Sequence, residues 1–513
     1  MSHSAGSRPS LTVRLNAADN VVVARLAIVE GTELPGENVR TSATIPAGHK
    51  VATRPIARGE PVRRYGQIIG FASKDVAPGE HVHVHNVEMR EFERDYAIGA
   101  EAKPLAMVPE AERDTFEGFV RRNGRVGTRN YIGVLSSVNC SASVCKFVQQ
   151  TFPSEVLANY PGVDGVVALT HSTGCGMADR GEGFSALQRV LWGYARHPNF
   201  AGVLMIGLGC EVNQIDFLLE AYGIRRGELF QHMTMQETGG TRKTVARAVG
   251  MIQEMLPHAA EARRQTVSAS ELSVALQCGG SDAWSGITAN PALGHATDLL
   301  SAQGGTGILA ETPEIYGAEH LLTRRAAKPE VAEKLIERIK WWEHYTASNG
   351  GEMNNNPSPG NKAGGLTTIL EKSLGAAAKG GTTNLNQVLK YAEPATERGF
   401  LFMDSPGYDP ASVTGQVASG ANIVAFTTGR GSCFGYKPAP SIKLATNTAM
   451  YEQMSEDMDI NCGDILTGAA TIETKGREIL DRLLAVASGE KSKSEELGIG
   501  DHEFIPWQIG AVM

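Results

Sequence analysis

The chain has 513 residues, of which 42% are hydrophobic and 20% charged, and its formal net charge is −8. This composition is typical of an ordinary globular protein of about three domains. It excludes the broad basic surface of a nucleic-acid-binding protein, and no stretch approaches the roughly 20 apolar residues that a membrane helix needs.

The N-terminal region combines a polar tail with a repeated phrase. Residues 1–10 lack the apolar run of a secretory signal, so we expect a disordered tail on a cytoplasmic protein. Within 11–90 an apolar residue, a glycine turn and the start of a strand follow one another three times. The copies are IPAGHKV at 45–51, IARGEPV at 56–62 and VAPGEHV at 76–82. The pattern predicts a small all-β domain over 11–90.

The rest of the chain has a different sequence pattern. Residues 91–117 are charged and contain Pro104 and Pro109, which predicts a linker. Beyond it, apolar runs bounded by glycine alternate with helical stretches, as in parallel sheets covered on both faces. The runs are 131–138, 165–170, 201–208, 272–277, 307–310 and 421–427. We therefore predict two doubly wound parallel-sheet α/β units, 118–265 and 266–513.

Unusual polar residues follow each of these six runs. In chain order they are Asn139 and Cys140, His171 and Cys175, Cys210 and Glu211, Cys278, Glu311, and Arg430. Ligands of open α/β sheets bind beyond the carboxyl ends of the strands. The sequence therefore predicts a site built from these side chains.

The seven cysteines are too few for a disulfide scaffold in a chain of this length. Cys140, Cys175, Cys210 and Cys278 each stand beside Gly, Asn or His, and we predict that these four are metal ligands or reactive thiols. The glycines around Cys175 indicate close approach of the backbone to a ligand. The alternative is that such a cysteine is a small core residue.

His81, His83 and His85 alternate along one predicted strand, so they share one face. Two neighbours could converge on one metal ion, whereas the alternative is a solvated histidine face.

Three other motifs indicate which ligands the protein could bind. GLGCEV at 207–212 lacks the third glycine of a dinucleotide-binding fingerprint, which argues against a NAD enzyme. Residues 354–365 have no apolar stripe and are typical of a lid or binding loop. Arg430 stands between glycines at a strand end, where its guanidinium could hold a carboxylate.

Several strings are similar to one known family. They are GRVGTRN at 124–130, GLGCE at 207–211, CGGSD at 278–282, TANP at 288–291, NPSPGNK at 356–362 and TGRG at 428–431. Over almost the whole chain they resemble the altronate/galactarate dehydratases, whose N-terminal domain is a SAF domain with a β-clip fold. The resemblance implies an Fe(II) or Mn(II) ion and the dehydration of an aldonic or aldaric acid to its 2-keto-3-deoxy product.

Two departures keep alternatives open. GSCFG at 431–435 stands where the sugar-acid enzymes tend to have GTPYG. The histidine-rich strand is similar to altronate dehydratases and to the small subunit of sulfolactate sulfo-lyase, and unlike galactarate dehydratases. FMDSPGYDP at 402–410 also resembles the sulfo-lyase large subunit. We therefore expect an altronate-type hydro-lyase, with a sulfo-lyase, a galactarate dehydratase and a non-catalytic binding protein as successive alternatives.

These expectations give each candidate residue a role. His171 is the expected acid or base, because histidine titrates near neutral pH, and Lys362 and Arg430 hold the substrate carboxylate. The expected substrate-binding residues are Asn130, Ser281, Asp282, Asn290, Glu311 and Asn361. The expected iron ligands are Cys140, Cys175, Cys210 and Cys278, joined by His83 and His85. An iron–sulfur cluster is the alternative form of the iron. By analogy with other sugar-acid lyases we also expect a homo-oligomer, namely a dimer.

Overall fold

The computed structural model of the protein describes residues 10–223, 227, 229–510 and 512. The tail predicted for residues 1–10 therefore lies, except for Ser10, outside the described residues.

The described chain forms strands throughout its length. They are β1 (Thr12–Val13), β2 (Val21–Ala24), β3 (Glu33–Leu34), β4 (Val39–Arg40), β5 (Lys50–Ala52), β6 (Pro61–Arg64), β7 (Gln67–Ala72), β8 (His81–Val82), β9 (Val87–Glu88), β10 (Thr115–Val120), β11 (Val126–Gly127), β12 (Tyr131–Ser136), β13 (Gly165–Leu169), β14 (Phe200–Gly207), β15 (Phe230–Thr234), β16 (Arg264–Ser268), β17 (Ser273–Cys278), β18 (Thr306–Leu309), β19 (Leu385–Leu389), β20 (Gly399–Met403), β21 (Ile423–Thr428), β22 (Ser441–Ala445) and β23 (Ile460–Asn461).

The α-helices begin only after residue 141. They are α1 (Ala142–Gln150), α2 (Ser154–Leu157), α3 (Glu182–Ala195), α4 (Ile215–Tyr222), α5 (Met235–Thr238), α6 (Thr241–Ala260), α7 (Ala289–Ala302), α8 (His320–Thr323), α9 (Pro329–Ser348), α10 (Pro359–Ala363), α11 (Ile369–Ala377), α12 (Asp409–Ser419), α13 (Thr448–Gln453), α14 (Asp464–Thr467), α15 (Ile472–Ala487) and α16 (Lys493–Glu496).

The N-terminal region, residues 10–90, is an all-β domain, as predicted. Its sheets have the strand orders β1-β2-β5-β8, β6-β7-β9 and β3-β4, and every pairing is antiparallel. The three repeated phrases lead into β5, β6 and β8. Gly48, Gly59 and Gly79 in these phrases have φ values of 80°, 87° and 82°, a backbone region that glycine enters without steric cost. We call this region the β domain.

The segment predicted as a linker packs against the rest of the protein. Arg94 pairs with Glu319 at 3.0 Å, and the Lys103 N–H donates to Asn384 Oδ1 at 2.9 Å. The end of this segment enters β10, which pairs antiparallel with β11 and β16 in a three-stranded sheet. That sheet therefore joins residues from both sides of the predicted boundary at 265/266.

The remainder consists of two parallel sheets with helices on both faces. The first has the order β13-β12-β14-β15 and the second the order β19-β20-β18-β17-β21-β22-β23. All six predicted apolar runs are strands of these sheets. We call them the four-stranded and the seven-stranded sheet.

The two sheets share one helical layer. Helices α3 and α12 pack between them, α1 and α6 cover the outer face of the four-stranded sheet, and α7 and α15 cover that of the seven-stranded sheet. Where α3 crosses α12, a Cβ on Gly193 would come within 2.4 Å of the Ala418 carbonyl oxygen. Glycine at this position allows the close crossing, because any side chain would collide with the backbone of α12.

The strand order of the seven-stranded sheet fixes where a ligand would bind. The chain leaves β17 for β18 on one side and later returns to β21 on the other side. The crevice beyond the carboxyl ends of β17 and β21 is therefore the topological switch point, the usual ligand site of open α/β sheets.

The β domain docks onto this part of the protein through a buried ion-pair network. Lys50 Nζ lies 2.9 Å and Arg64 Nη1 2.6 Å from Glu371 Oε1, and all three side chains are almost completely buried. Lys50 also donates to the Gly365 carbonyl and Arg64 to the Ala283 carbonyl, each at 2.7 Å. Among the described residues, no helix is both long and apolar enough to span a membrane.

Candidate active site

Three strand ends of the seven-stranded sheet carry the candidate site. Cys278 is the last residue of β17, Glu311 follows β18 by two residues, and Arg430 follows β21 by two residues. These are positions that the sequence singled out, and the topology places them along one edge because β18, β17 and β21 are neighbours.

A cluster of ionisable side chains surrounds Cys278. We call it the buried charged cluster, and its members are Cys278, Glu311, Glu314, Lys372, Lys379 and the partly exposed Asp409. Lys379 Nζ donates to Cys278 Sγ at 2.7 Å, and Lys372 Nζ donates to Glu314 Oε1 at 2.6 Å. The Asn356 side chain bridges the second pair, because it donates to Glu314 at 2.9 Å and accepts from Lys372 at 3.0 Å.

Glu311 has the most unusual environment in this cluster. Its backbone φ is +74°, a left-handed conformation that non-glycine residues rarely adopt. Its N–H donates to Ser405 Oγ at 3.0 Å, yet both carboxylate oxygens are buried and have no hydrogen-bond partner within the described part of the chain. Burial and the nearby Glu314 raise the pKa of Glu311 well above its ordinary value. Backbone strain together with an unpartnered buried carboxylate is typical of a functional residue.

The remaining pKa shifts in the cluster are set by burial and by neighbouring charges. Burial raises the pKa of Cys278 to about 11, and burial together with Glu314 raises that of Asp409 to about 6. Burial alone would raise the pKa of Glu314, but Lys372 and Lys379 lower it below its ordinary value. Burial would lower the pKa of Lys379, but Cys278 and the two glutamates raise it. The cluster thus holds protonated and ionised groups side by side.

The ionised cluster has an excess of negative charge that a cation would neutralise. Four acidic groups, namely three carboxyls and a thiol, face two ammonium groups, so the fully ionised cluster has an excess of two negative charges. Two bound protons or one divalent ion would neutralise it. The ligand atoms of Cys278, Glu311 and Glu314 all lie within 4.8 Å of one another. Carboxylates and a thiolate form a donor set that suits Fe(II) or Mn(II).

A cavity of about 400 Å³ opens at the switch point beside Arg430. This volume lies within the usual range for small-molecule sites. Its wall includes Asp282, Trp284 and Asn447, and Ala47 of the β domain closes one side. The Asp282 carboxylate is already occupied, because it accepts hydrogen bonds from the hydroxyls of Ser285 and Thr446 and from the Asn447 amide. Arg430 therefore contributes the positive charge in the wall of this cavity.

A loop of two glycines separates this cavity from the buried charged cluster. A Cβ on Gly279 would lie 2.6 Å from Asp409 Oδ2, and a Cβ on Gly280 would lie 3.4 Å from Arg430 Cβ. Any larger residue at Gly279 would collide with the carboxylate. The two glycines thus lie between Asp409 of the cluster and Arg430 of the cavity.

Three imidazoles of the β domain form a second group of potential ligands. We call His49, His81 and His83 the histidine triad, and their ligand atoms also lie within 4.8 Å of one another. His49 Nδ1 is 3.0 Å from His81 Nε2, and His49 Nε2 is 3.4 Å from the Ala363 carbonyl oxygen at the end of α10. Burial and the other cations lower the pKa of His81 to about 4 and that of His83 to about 3.

The triad differs from the predicted histidine strand. Strand β8 ends at Val82, and a turn follows in which the His83 N–H donates to Asn86 Oδ1 at 2.9 Å. This turn stacks the rings of His81 and His83 at 5.5 Å. His85 is exposed and does not belong to the triad, whereas His49 joins it because β5, which begins one residue after His49, pairs with β8.

The four predicted thiol ligands are divided between the two parallel sheets. Cys140, Cys175 and Cys210 follow strands of the four-stranded sheet and are exposed, whereas Cys278 is buried in the seven-stranded sheet. Among the described residues these thiols form no group whose ligand atoms lie within 4.8 Å of one another. The sequence showed correctly that each follows a strand, but the strands belong to two different sheets.

His171, the expected acid or base, has both ring nitrogens engaged by the backbone. Nε2 lies 3.0 Å from the Ser136 carbonyl, and Nδ1 accepts from the Thr173 N–H at 3.2 Å. Burial lowers the pKa of His171 to about 4. The ring thus joins the ends of β12 and β13, and this geometry favours a structural role.

Several predicted substrate-binding residues stabilise the scaffold around the site. The Asn290 amide donates to the Gly375 carbonyl at 2.8 Å, and the Asn361 amide donates to the Ser281 carbonyl at 2.8 Å. Asn130 directly precedes β12 of the four-stranded sheet and donates to the carbonyls of Gly162 and Ala259. Ser281 is buried, and Lys362 is partly exposed on α10. These contacts position the loops of the site, and they already engage the amides of Asn130, Asn290 and Asn361.

Comparisons with known proteins agree with the architecture. Family models described as "Altronate/galactarate dehydratase SAF domain", "D-galactarate dehydratase/Altronate hydrolase, second domain" and "D-galactarate/Altronate dehydratase, C-terminal" match residues 10–90, 118–260 and 269–512. The chain belongs to the altronate/galactarate dehydratase family. The expected resemblance is confirmed, the chain is a hydro-lyase of the altronate/galactarate dehydratase type, and its β domain is the SAF domain.

Two individual relatives match nearly the full length of this chain, and a third matches three quarters of it. The chain is 35% identical over 497 residues to altronate dehydratase of Bacillus subtilis (strain 168). The match covers 95% of this chain and 98% of the relative. The chain is 37% identical over 497 residues to galactarate dehydratase (L-threo-forming) of Escherichia coli (strain K12), covering 95% of each. It is also 34% identical over 391 residues to (2R)-sulfolactate sulfo-lyase subunit beta of Chromohalobacter salexigens, covering 75% of this chain and 95% of the relative.

Sequence reasoning missed several residues that the dehydratase brings together. They are His49, Glu314, Lys372, Lys379 and Asp409. Two of them had a signal: Glu314 follows Glu311 by three residues, and His49 lies in the first repeated phrase. Lys372 and Lys379 lie in a helix and in the turn after it, where lysines are common, and no local pattern marks them.

Proposed function

We propose that this dehydratase removes water from an altronate-type aldonic acid and that a divalent iron or manganese ion in the buried charged cluster assists it. The observation that carries the proposal is the Glu311 carboxylate, which is buried, strained and without a partner in the described chain. A buried carboxylate in this state is costly for the fold, and a cation or a substrate hydroxyl would remove that cost.

Cys278, Glu311 and Glu314 would hold the metal ion. Their donor atoms lie close enough together, and the excess of two negative charges in the cluster matches a divalent ion. When bound, the ion would supply Lewis acidity to the negative charge that develops beside the substrate carboxylate.

The protein's own groups supply the proton transfers. Removal of the C2 proton needs a base, and the Asp409 carboxylate, with a pKa of about 6, suits this role near neutral pH. Asp409 takes the C2 proton, the C3–O bond breaks, and the Lys379 ammonium gives its proton to the departing hydroxyl, which leaves as water. The enol that remains tautomerises to the 2-keto-3-deoxy acid.

The cavity favours a substrate with one carboxylate. Among the described residues, one guanidinium, that of Arg430, lines the cavity, and it can hold one carboxylate in a bidentate manner. An aldonate has one carboxylate, whereas an aldarate has two and sulfolactate has a carboxylate and a sulfonate. We therefore rank an aldonate above galactarate and sulfolactate.

A substrate panel tests this function. Protein purified without oxygen is loaded with Fe(II) or Mn(II) and incubated with altronate-type aldonates, aldarates and sulfolactate, and 2-keto acid and sulfite are measured. We expect 2-keto acid from an aldonate and its loss in Glu311→Gln. Sulfite release without a keto-deoxy product would favour the sulfo-lyase alternative, and a silent panel would favour a binding protein.

Metal analysis of the same preparation tests the form of the iron. Iron without acid-labile sulfide is expected for a mononuclear ion in the buried charged cluster. Equal amounts of iron and sulfide would instead indicate an iron–sulfur cluster, for which the exposed thiols of Cys140, Cys175 and Cys210 are the available ligands.

A further inference from the structure

We propose that the histidine triad is a second metal site, which binds a transition-metal ion through His49, His81 and His83 at the contact between the SAF domain and α10. It shares no residue with the buried charged cluster, so it stands or falls independently of the catalytic metal proposed above.

The rings of the histidine triad come together from separate parts of the SAF domain. Three imidazoles from two segments of the SAF domain place their ligand atoms within 4.8 Å of one another. Such convergence requires the pairing of β5 with β8 and the turn that folds His83 back over His81. Histidines that merely covered a solvated face would have no reason to converge from separate segments.

The triad also contains an unused ligand atom. His83 Nδ1 is buried and, within the described residues, has no hydrogen-bond partner. An unsatisfied buried nitrogen costs stability unless water or an ion occupies the position in front of it. The other two rings meet each other at 3.0 Å, a contact that a shared metal ion would replace with two coordinate bonds.

The donor set determines the class of ion. The triad offers neutral imidazoles and no carboxylate, which suits Zn(II), Fe(II), Co(II) or Ni(II) and excludes the oxygen-seeking Ca(II) and Mg(II). Structural zinc sites have four protein ligands, whereas three ligands leave a position for water or substrate. The site would therefore be accessible to an exogenous ligand.

A metal ion in the histidine triad would affect how the SAF domain docks onto α10. His49 Nε2 contacts the Ala363 carbonyl of α10, and the residues on either side of His49, Gly48 and Lys50, lie against Gly364 and Gly365. A metal ion held by the triad would fix His49 and, with it, the face that the SAF domain presents to α10. We expect metal binding to make the SAF domain harder to detach.

Cobalt titration of the full-length protein tests the site. The exposed thiols are first alkylated, the protein is stripped of metal, and Co(II) is added while bound metal and absorption are measured. A thiolate ligand gives a near-ultraviolet charge-transfer band, which only the site containing Cys278 would show. We expect two equivalents bound by the starting protein, one of them with this band.

Three variants show which residues bind each equivalent of cobalt. His83→Gln should bind one equivalent and keep the charge-transfer band, whereas Cys278→Ser should bind one equivalent without it. The matched control is His85→Gln, which changes an exposed histidine of the same turn and should still bind two. Cys278→Ser leaves the triad untouched, so it tests the site even if His83→Gln does not fold.

The outcomes separate the two metal proposals. If Cys278→Ser binds no cobalt, or if His83→Gln still binds two equivalents, the triad is not a metal site. If Cys278→Ser instead binds as much cobalt as the starting protein and His83→Gln binds none, the triad proposal holds. In that case the placement of the catalytic metal in the buried charged cluster is wrong.

Discussion

Lys50 Nζ of the SAF domain lies 2.9 Å from Glu371 Oε1 of helix α11, and both side chains are completely buried. Arg64 binds the same oxygen at 2.6 Å. The next residue on α11, Lys372, points into the buried charged cluster and contacts Glu314 at 2.6 Å. Helix α11 therefore carries both the residue that holds the SAF domain, Glu371, and a residue of the candidate active site, Lys372. A shift of the SAF domain would move α11 and, with it, Lys372.

Replacement of Glu371 by Gln should destabilise the protein strongly. The neutral amide keeps the shape but leaves two buried cations without their counter-charge, which costs about 3–5 kcal/mol when one partner of a buried ion pair is removed. Urea unfolding measures the loss. The control is Glu88→Gln, because the pair of Glu88 with Arg90 is exposed and such pairs contribute about 0–1 kcal/mol. Equal unfolding midpoints for the two variants would contradict the prediction.

The contribution of Glu371 should disappear in acid. Lys50 and Arg64 outweigh burial and lower the pKa of Glu371 from its ordinary value of 4.5 to about 2. A carboxyl with a lowered pKa in the folded state stabilises fully above pH 4.5 and loses this effect as the pH falls toward 2. The difference in unfolding free energy between the native chain and Glu371→Gln should therefore be constant between pH 7 and 5 and shrink at pH 3. A difference that grew in acid would show that Glu371 is protonated in the fold.

The apolar runs read from the sequence identified six strands of the two parallel sheets, but they missed β20, whose sequence GFLFM is apolar and fully buried. All six predicted runs are strands of the two parallel sheets. Strand β15 was missed because its sequence, FQHMT, is mixed and only partly buried. Strand β19, with the sequence LNQVL, lies at the sheet edge, where partial exposure permits polar residues.

The candidate site was only partly predictable, for a physical reason. Local pattern indicated that Cys278, Glu311 and Arg430 end strands, and the structure places them at one edge. Which strand ends meet depends on strand order, a long-range property that no local pattern contains. The thiols of Cys140 and Cys278 therefore looked equivalent in sequence although they belong to separate sheets.

Replacement of His171 by Gln should affect stability more than catalysis. Both ring nitrogens bind backbone groups, so the variant loses hydrogen bonds worth about 1–3 kcal/mol when their partners stay buried. A general acid or base would instead lower kcat by about 10²–10⁴-fold. We expect a lower urea midpoint and a kcat reduced by much less than that. A kcat loss within that range at unchanged stability would restore His171 as the acid or base.

Replacement of Arg430 by Gln should weaken substrate binding. A hydrogen bond to a charged group contributes about 1.5–3 kcal/mol, which corresponds to a rise in KM of roughly 10–150-fold. Arg430→Lys should recover part of this, since an ammonium keeps the charge but not the bidentate geometry. Steady-state kinetics on the preferred aldonate measures both variants. An unchanged KM in Arg430→Gln would place the substrate carboxylate elsewhere, and Lys362 would be the next residue to test.

Replacement of Glu311 by Gln should separate function from stability. The variant removes a buried carboxylate that has no partner in the described chain, so the metal-free protein should be as stable as before or more stable by about 1–3 kcal/mol. Turnover of the iron-loaded protein should fall by at least about 10²-fold, and iron retention should fall with it.

Glu314→Gln is the matched comparison for this variant. The Glu314 carboxylate accepts hydrogen bonds from Lys372, Asn356 and Cys278, so its loss should lower stability as well as turnover. Urea unfolding of the metal-free proteins and turnover after iron loading distinguish the two variants.

If Glu311→Gln lowered stability as much as Glu314→Gln did, Glu311 would be a structural carboxylate whose partner is a bound water. If it kept normal turnover, the metal site would not include Glu311. A stable, inactive Glu311→Gln would show that the strain at this residue serves the reaction, because a residue kept only for the fold cannot be removed without loss of stability.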